Sequence, residues 1–146
     1  MWRTVTDVIL FCSLILCSIT DIRTRTIPVL IPAAASAAAA AASAAAGSLR
    51  IYDVLIAVIT AVFFAGIARL SREAFGYGDC FLIWAVMICC GPAAGACVIL
   101  TGFFICAAAA AFMLAVKRVS RTYKLPFVPF LCISHAVFLI GGAISG

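Results

Sequence analysis

Two aspartates stand where apolar segments meet short polar loops, in a chain with only five acidic residues. Asp79 closes the run Gly76-Tyr77-Gly78-Asp79 at the start of one apolar segment, and Asp21 ends an earlier one. An ionisable side chain at the edge of a bilayer-length apolar stretch is costly to keep and by default points to function. Two carboxyl groups sharing a site can divide the work of peptide hydrolysis. One, ionised, deprotonates water, and the other, protonated, polarises the scissile carbonyl. Like charges a few ångströms apart do not both ionise readily, which pushes their titrations apart, and those titrations then belong to the pair. Gly76 and Gly78 suit the same chemistry, since glycine lets a backbone approach closely and an extended peptide can dock on it like a strand.

The elements that must position these residues are membrane helices. The chain has 146 residues, 67% of them apolar and 10% charged, with a mean hydropathy of +1.30. A soluble domain is nearer half apolar and a quarter charged. No long polar block leaves room for a soluble domain, so residues 1–146 read as a single domain embedded in the lipid bilayer. The net charge of +5 comes from basic residues scattered over short loops, with no basic stripe carrying interleaved aromatics. Nucleic acid is therefore not expected as a partner.

Apolar segments run over 5–20, 27–49, 51–70, 80–91, 93–116 and 126–145. A span needs about 20 residues. The second, third, fifth and sixth segments meet that length, the first is slightly short unless Trp2 and Arg3 sit at the interface, and the fourth is ambiguous. Gly91-Pro92 breaks the uncharged stretch from Cys80 to Val116 and splits it into two helices joined by a tight turn. The alanine-rich second segment reads as a weakly apolar transmembrane helix surrounded by protein, because small residues favour close helix packing. Cleavage of the first segment as a signal peptide is not expected: Leu16 is too large for the position before Cys17 in a lipoprotein site, and no soluble mature domain follows.

With about six spans and the N-terminus outside, the inner loops hold Arg23, Arg25, Arg69, Arg72, Lys117, Arg118, Arg121 and Lys124. The outer ones hold only Arg3 and Arg50. That is the positive-inside bias, and it depends on the split at Gly91-Pro92. Asp7 and Asp53 then fall outside, read as helix N-caps, while Asp21, Glu73 and Asp79 share the inner, cytoplasmic face. Asp79 lies at the positive end of its helix dipole and Asp21 at the negative end of its own, with Arg23 and Arg25 opposing. This leans towards Asp79 as the base and leaves the assignment open. Seven of the eight cysteines sit inside apolar segments and read as small packing residues. No Cys-x-x-Cys pair occurs, so no metal or redox motif is expected. Cys80 adjoins Asp79. His135 reads as a packed or interfacial histidine, and Ser134 beside it faces elsewhere.

Three places resemble the type IV prepilin peptidase family, the GxGD-type membrane aspartic proteases. They are Asp21 followed by Arg23, Arg25, Ile27 and Pro28; Gly76-Tyr77-Gly78-Asp79; and Pro126-Phe127-Val128-Pro129-Phe130-Leu131. The resemblance implies an all-α integral membrane protein of the plasma membrane, with its active site at the cytoplasmic face. It implies an aspartic endopeptidase, with Asp21 and Asp79 as the catalytic pair, no metal and no cofactor. The substrate it implies is a prepilin or pseudopilin precursor carrying a short basic leader. Leader recognition falls to Glu73 and the aspartates, and the loop positives to topology and anionic headgroups. The family usually has asparagine where Val29 stands and lysine where Phe81 stands. The cysteine-rich cytoplasmic insertion of the larger members is absent, so this is similar to the minimal peptidase form, without N-methylation. Two other classes stay open: a small proton-coupled transporter component, and a catalytically inactive scaffold of a pilus or secretion assembly.

Overall fold

A computed structural model of the chain describes residues 2–24, 30–45, 47, 50–70, 76–116 and 126–145. Six helices take up nearly all of these: α1 (Trp2–Thr24), α2 (Leu30–Ala45), α3 (Ile51–Leu70), α4 (Tyr77–Cys90), α5 (Pro92–Ala115) and α6 (Val128–Ser145). No strand occurs among the described residues. Three helices are long and apolar enough to cross a membrane, over Thr4–Arg23, Ile51–Leu70 and Pro92–Ala115. Leu55, Ile59, Val62 and Phe63 on α3 and Leu100, Phe104 and Phe112 on α5 are exposed. Apolar faces that broad are rare on soluble monomers, and hydrocarbon is the solvent that suits them.

The helix lengths differ from those read off the apolar segments. α1 has 23 residues and includes polar Thr4 and Arg23, whereas α2 and α6 have 16 and 18. At 1.5 Å per residue the latter two reach about 24 and about 27 Å, short of the roughly 30 Å hydrocarbon core. Gly47 is in the left-handed region at φ 63° and donates to the Ala44 carbonyl at 3.0 Å, a glycine stop just beyond α2. α6 starts late, two residues after Pro126, and Pro129 lies within its first turn. Pro129 occupies the second helical position, where a missing N–H costs little.

The split at Gly91-Pro92 is realised in one residue. Gly91 alone separates α4 from α5, at φ 80° and ψ 168°, a conformation open essentially to glycine. Pro92 opens α5, and the chain reverses sharply enough that a Cβ on Gly95 would lie 3.1 Å from the Met87 Cα and 3.3 Å from the Val86 carbonyl oxygen. Residues eight apart on a continuous helix would be about 12 Å apart along its axis, so α4 and α5 form a hairpin in backbone contact. α5 meets α6 as closely: a Cβ on Gly102 would sit 3.4 Å from the Leu131 Cα, and the Ser134 hydroxyl donates to the Val98 carbonyl at 2.7 Å.

α4 is the central helix, packed by α1, α2, α3 and α5. It buries Cys80, Leu82, Ile83, Ala85, Val86, Met87, Cys89 and Cys90, and a helix covered on most sides is apolar nearly all round. α2 contributes Pro32, Ala35, Ser36 and Ala39 to the interface with α1 and α4. Its Ala34, Ala37, Ala38 and Ala41 are exposed, so α2 is covered on one face rather than surrounded. The small side chains serve close approach on that face alone. Neither Asp7 nor Asp53 is an N-cap. Asp7 lies in the second turn of α1, which already begins at Trp2, and Asp53 lies in the first turn of α3, where its amide donates to the Arg50 carbonyl at 3.0 Å. Asp53 there still complements the helix dipole.

Candidate active site

α1 and α4 pack together, and the C-terminal end of the first lies near the N-terminal end of the second. Asp21 lies within the last turn of α1 and Asp79 in the first turn of α4, close enough for their charges to interact. Asp21 is buried, at 8% exposure, and Asp79 is half-buried.

Each carboxylate is held differently. Gly76 is the N-cap of α4, extended at φ −72° and ψ 139°, with no side chain to cap the helix. Asp79, three residues on, turns back on it: a Cβ added to Gly76 would be 3.3 Å from Asp79 Oδ2, and the Gly76 backbone hydrogen-bonds to the carboxylate. This is the return arm of a capping box, with the hydroxyl arm missing. The other oxygen, Asp79 Oδ1, is buried with no hydrogen-bond partner among the described residues. Gly78 is the second residue of α4 and half-buried. Cys80 is buried one position further, its thiol 3.8 Å from the Gly76 carbonyl.

Asp21 takes a partner that no sequence pattern points to. The Val128 amide donates to Asp21 Oδ2 at 3.4 Å. Val128 is the first residue of α6, so this amide is one of the donors a helix start leaves unsatisfied. Phe127, immediately before it, stacks on Phe103 of α5 at a centroid distance of 4.6 Å, and Phe103 stacks on Phe64 of α3 at 5.6 Å. That three-ring stack anchors the start of α6 over Asp21. This contact offsets the dipole contrast expected between the aspartates. Asp21 ends its own helix, but its carboxylate faces the positive end of another.

Beside Asp79, α3 and α4 leave a groove of about 430 Å³ lined by Val58, Ala61, Val62, Ala65, Cys80, Phe81 and Trp84. Val58, Val62 and Phe81 are exposed, so it opens sideways. Its lining is apolar, and Phe81 forms part of it. Glu73 lies outside the described residues, as do Arg25, Ile27, Pro28, Val29, Arg72 and the positives from Lys117 to Lys124.

His135 is fully buried, and its neighbours are specific. Cys90 Sγ lies 3.9 Å from Nδ1, the Asp7 carbonyl oxygen 3.5 Å from Nε2, and the Phe11 ring packs at a centroid distance of 6.1 Å. This group stands at the other end of α1 and α4 from the two aspartates, about 21 and about 16 Å of helix away.

No curated protein and no solved structure matched the chain. A family model did, that of the type IV leader peptidase family, over residues 8–111. The matched stretch holds both aspartates and the Gly76–Asp79 run, and it ends before the start of α6. The chain belongs to the type IV leader peptidase family, a family of proteases.

Proposed function

We propose that this protein is an aspartic endopeptidase of the plasma membrane that removes the basic leader from type IV prepilin or pseudopilin precursors at the cytoplasmic face. The observation that carries the reading is the convergence of Asp21 and Asp79, from opposite chain directions, at one end of the α1–α4 pair. Asp21 holds the negative charge and takes the proton of water, its Oδ2 steadied by the Val128 amide. Asp79 keeps a proton and donates it towards the scissile carbonyl oxygen. An unpartnered, buried Oδ1 suits a carboxylic acid that needs an incoming acceptor better than it suits an anion. The exposed Gly76 backbone offers an edge for the extended scissile segment, and Glu73 the charge for the basic leader. The apolar stretch that follows the leader lies in the groove between α3 and α4. All six helices lie in the bilayer with the N-terminus outside, which puts the aspartates on the side of the basic loops.

Co-expression with a prepilin tests this directly. Asp21→Ala and Asp79→Ala each leave the leader attached while the protein still accumulates in the membrane, and sequencing the wild-type product's new N-terminus locates the cut. Unchanged leader removal by either variant refutes the assignment.

A further inference from the structure

We propose that Asp7, Cys90 and His135 form a binding site for a transition-metal ion of borderline softness, with Zn²⁺ the best match, at the end of the bundle opposite the two aspartates. One ligand atom from each residue lies within 4.8 Å of the other two. The three come from α1, α4 and α6, so the site exists only when these helices are packed. Cys90 and His135 are buried and Asp7 is half-buried, which leaves Asp7 as the side from which an ion enters.

The Cys90–His135 distance suits a metal. Zinc at its usual bond lengths, about 2.3 Å to sulfur and about 2.05 Å to nitrogen, sets the two donors about 3.6 Å apart in a tetrahedral site. Cys90 Sγ and His135 Nδ1 are 3.9 Å apart, a difference that a small rotation of either side chain closes. The other ring nitrogen is already committed in the way a metal ligand needs. Nε2 faces the Asp7 backbone carbonyl at 3.5 Å, and a ligating histidine characteristically gives its second N–H to a carbonyl or carboxylate, which fixes ring orientation and tautomer. With Nε2 donating, the Nδ1 lone pair points to the thiol side. Asp7 thus contributes twice, its carbonyl orienting the imidazole and its carboxylate completing the ligand set.

Donor chemistry narrows the ion. Thiolate with imidazole and one carboxylate suits Zn²⁺, and Co²⁺ as its spectroscopic substitute, and disfavours Mg²⁺ and Ca²⁺, which take oxygen. Three protein donors leave a fourth position for water. The bound ion ties α1, α4 and α6 together at one end, while the aspartates do their work at the other.

Full-length protein, purified in detergent and stripped with a chelator, is titrated with Co²⁺. Wild type develops a thiolate-to-cobalt charge-transfer absorption that saturates at one ion per chain and disappears on adding Zn²⁺. Cys90→Ser loses that absorption, and Cys89→Ser, which removes the neighbouring buried thiol, keeps it. Asp7→Asn binds at least about tenfold more weakly. Zn²⁺ raises the thermal unfolding temperature of wild type and Cys89→Ser but not of Cys90→Ser, each checked for intact helical circular dichroism. No charge-transfer absorption in helical wild type overturns the proposal and leaves a thiol–imidazole packing contact. An unchanged absorption in Cys90→Ser, or its loss from Cys89→Ser instead, overturns the ligand assignment.

Discussion

Replacing Gly76 with alanine adds one methyl group at a point where its consequences can be followed. The backbone at Gly76, φ −72° and ψ 139°, is one that alanine adopts freely, so no backbone strain enters. The methyl lands 3.3 Å from Asp79 Oδ2 and 4.0 Å from its Cγ, and the carboxyl group has to give by about 0.3 Å to restore an ordinary carbon–oxygen contact. A misplacement of 1 Å costs on the order of 100-fold in rate, or about 2.7 kcal/mol. Scaled to about 0.3 Å, the loss is about 0.8 kcal/mol, a three- to fivefold fall in kcat. Alanine is also a poorer N-cap than glycine, by about 0.5–1 kcal/mol of stability, and that effect has to be separated from the first. Gly76→Ser does so, because serine restores the cap while keeping the same Cβ beside Asp79. Initial rates of leader removal from a purified prepilin in detergent, with thermal unfolding in parallel, should show both variants slowed three- to fivefold and only the alanine variant less stable. Wild-type rates in both would refute the claim that the Gly76 contact holds the Asp79 carboxyl in place. A wild-type rate in the serine variant alone would transfer the effect to helix capping.

The remaining predictions bear on the hairpin, the start of α6, the groove and the division of labour in the pair. Gly91→Ala forces a side chain into a conformation at φ 80° and ψ 168° and should cost about 1–3 kcal/mol, read as a lower unfolding temperature. Phe127→Ala removes the ring contact between the start of α6 and Phe103. It should cost about 3 kcal/mol and also lower kcat, since the Val128 amide loses its position over Asp21. Ala65→Phe, which fills the groove between α3 and α4, should raise KM for a full prepilin severalfold while leaving cleavage of a short leader peptide without the apolar stretch unchanged. Asp79→Asn keeps an N–H donor where the acid stands and Asp21→Asn abolishes the base. The first should therefore retain more residual cleavage than the second, each down by about 10²–10⁴.

Much of the architecture is legible because charges and Gly-Pro steps punctuate an otherwise apolar chain. The segments bounded by Arg23 to Arg25, Arg50, Arg69 to Arg72 and Gly91-Pro92 all become separate helices. Alternation of helix direction puts the end of α1 and the start of α4 at the same end of the bundle, but that the two helices pack against each other is a property of the fold. Helix length was harder to read, since alanine carries no signal for where α2 stops until Gly47 turns left-handed. The Val128 contact was not legible at all. It joins positions 107 residues apart in the chain through a backbone amide, which every residue but proline possesses. His135 and Cys90 each look like isolated packing residues within their own apolar runs. They acquire neighbours only through the crossing of α4, α6 and α1, which local sequence does not encode. Asp7 looks like a cap from the sequence because its apolar run starts at residue 5, whereas α1 already begins at Trp2.

The two aspartates illustrate how a site at one end of an apolar bundle can hold one negative charge using backbone alone. A helix N-terminus carries the equivalent of about half a positive elementary charge. Asp79 sits in the first turn of α4, with its carboxyl group turned back to Gly76, and Asp21 Oδ2 accepts from the first amide of α6. Two such ends therefore converge on two carboxyl groups, opposed by the negative end of α1 that Asp21 itself closes, which leaves about half a positive charge in net. That favours one carboxylate beside one carboxylic acid, the state a base–acid pair needs before reaction, and it falls well short of what two anions would need. The second of these helix ends lies beyond residue 111, outside the stretch that matches the family model. The Phe64–Phe103–Phe127 stack is what carries it back over Asp21. On this reasoning the segment from Pro126 to Leu131 belongs to the proposed active site as much as Gly76 to Asp79 does, contributing a dipole and a backbone donor where the other contributes an acid.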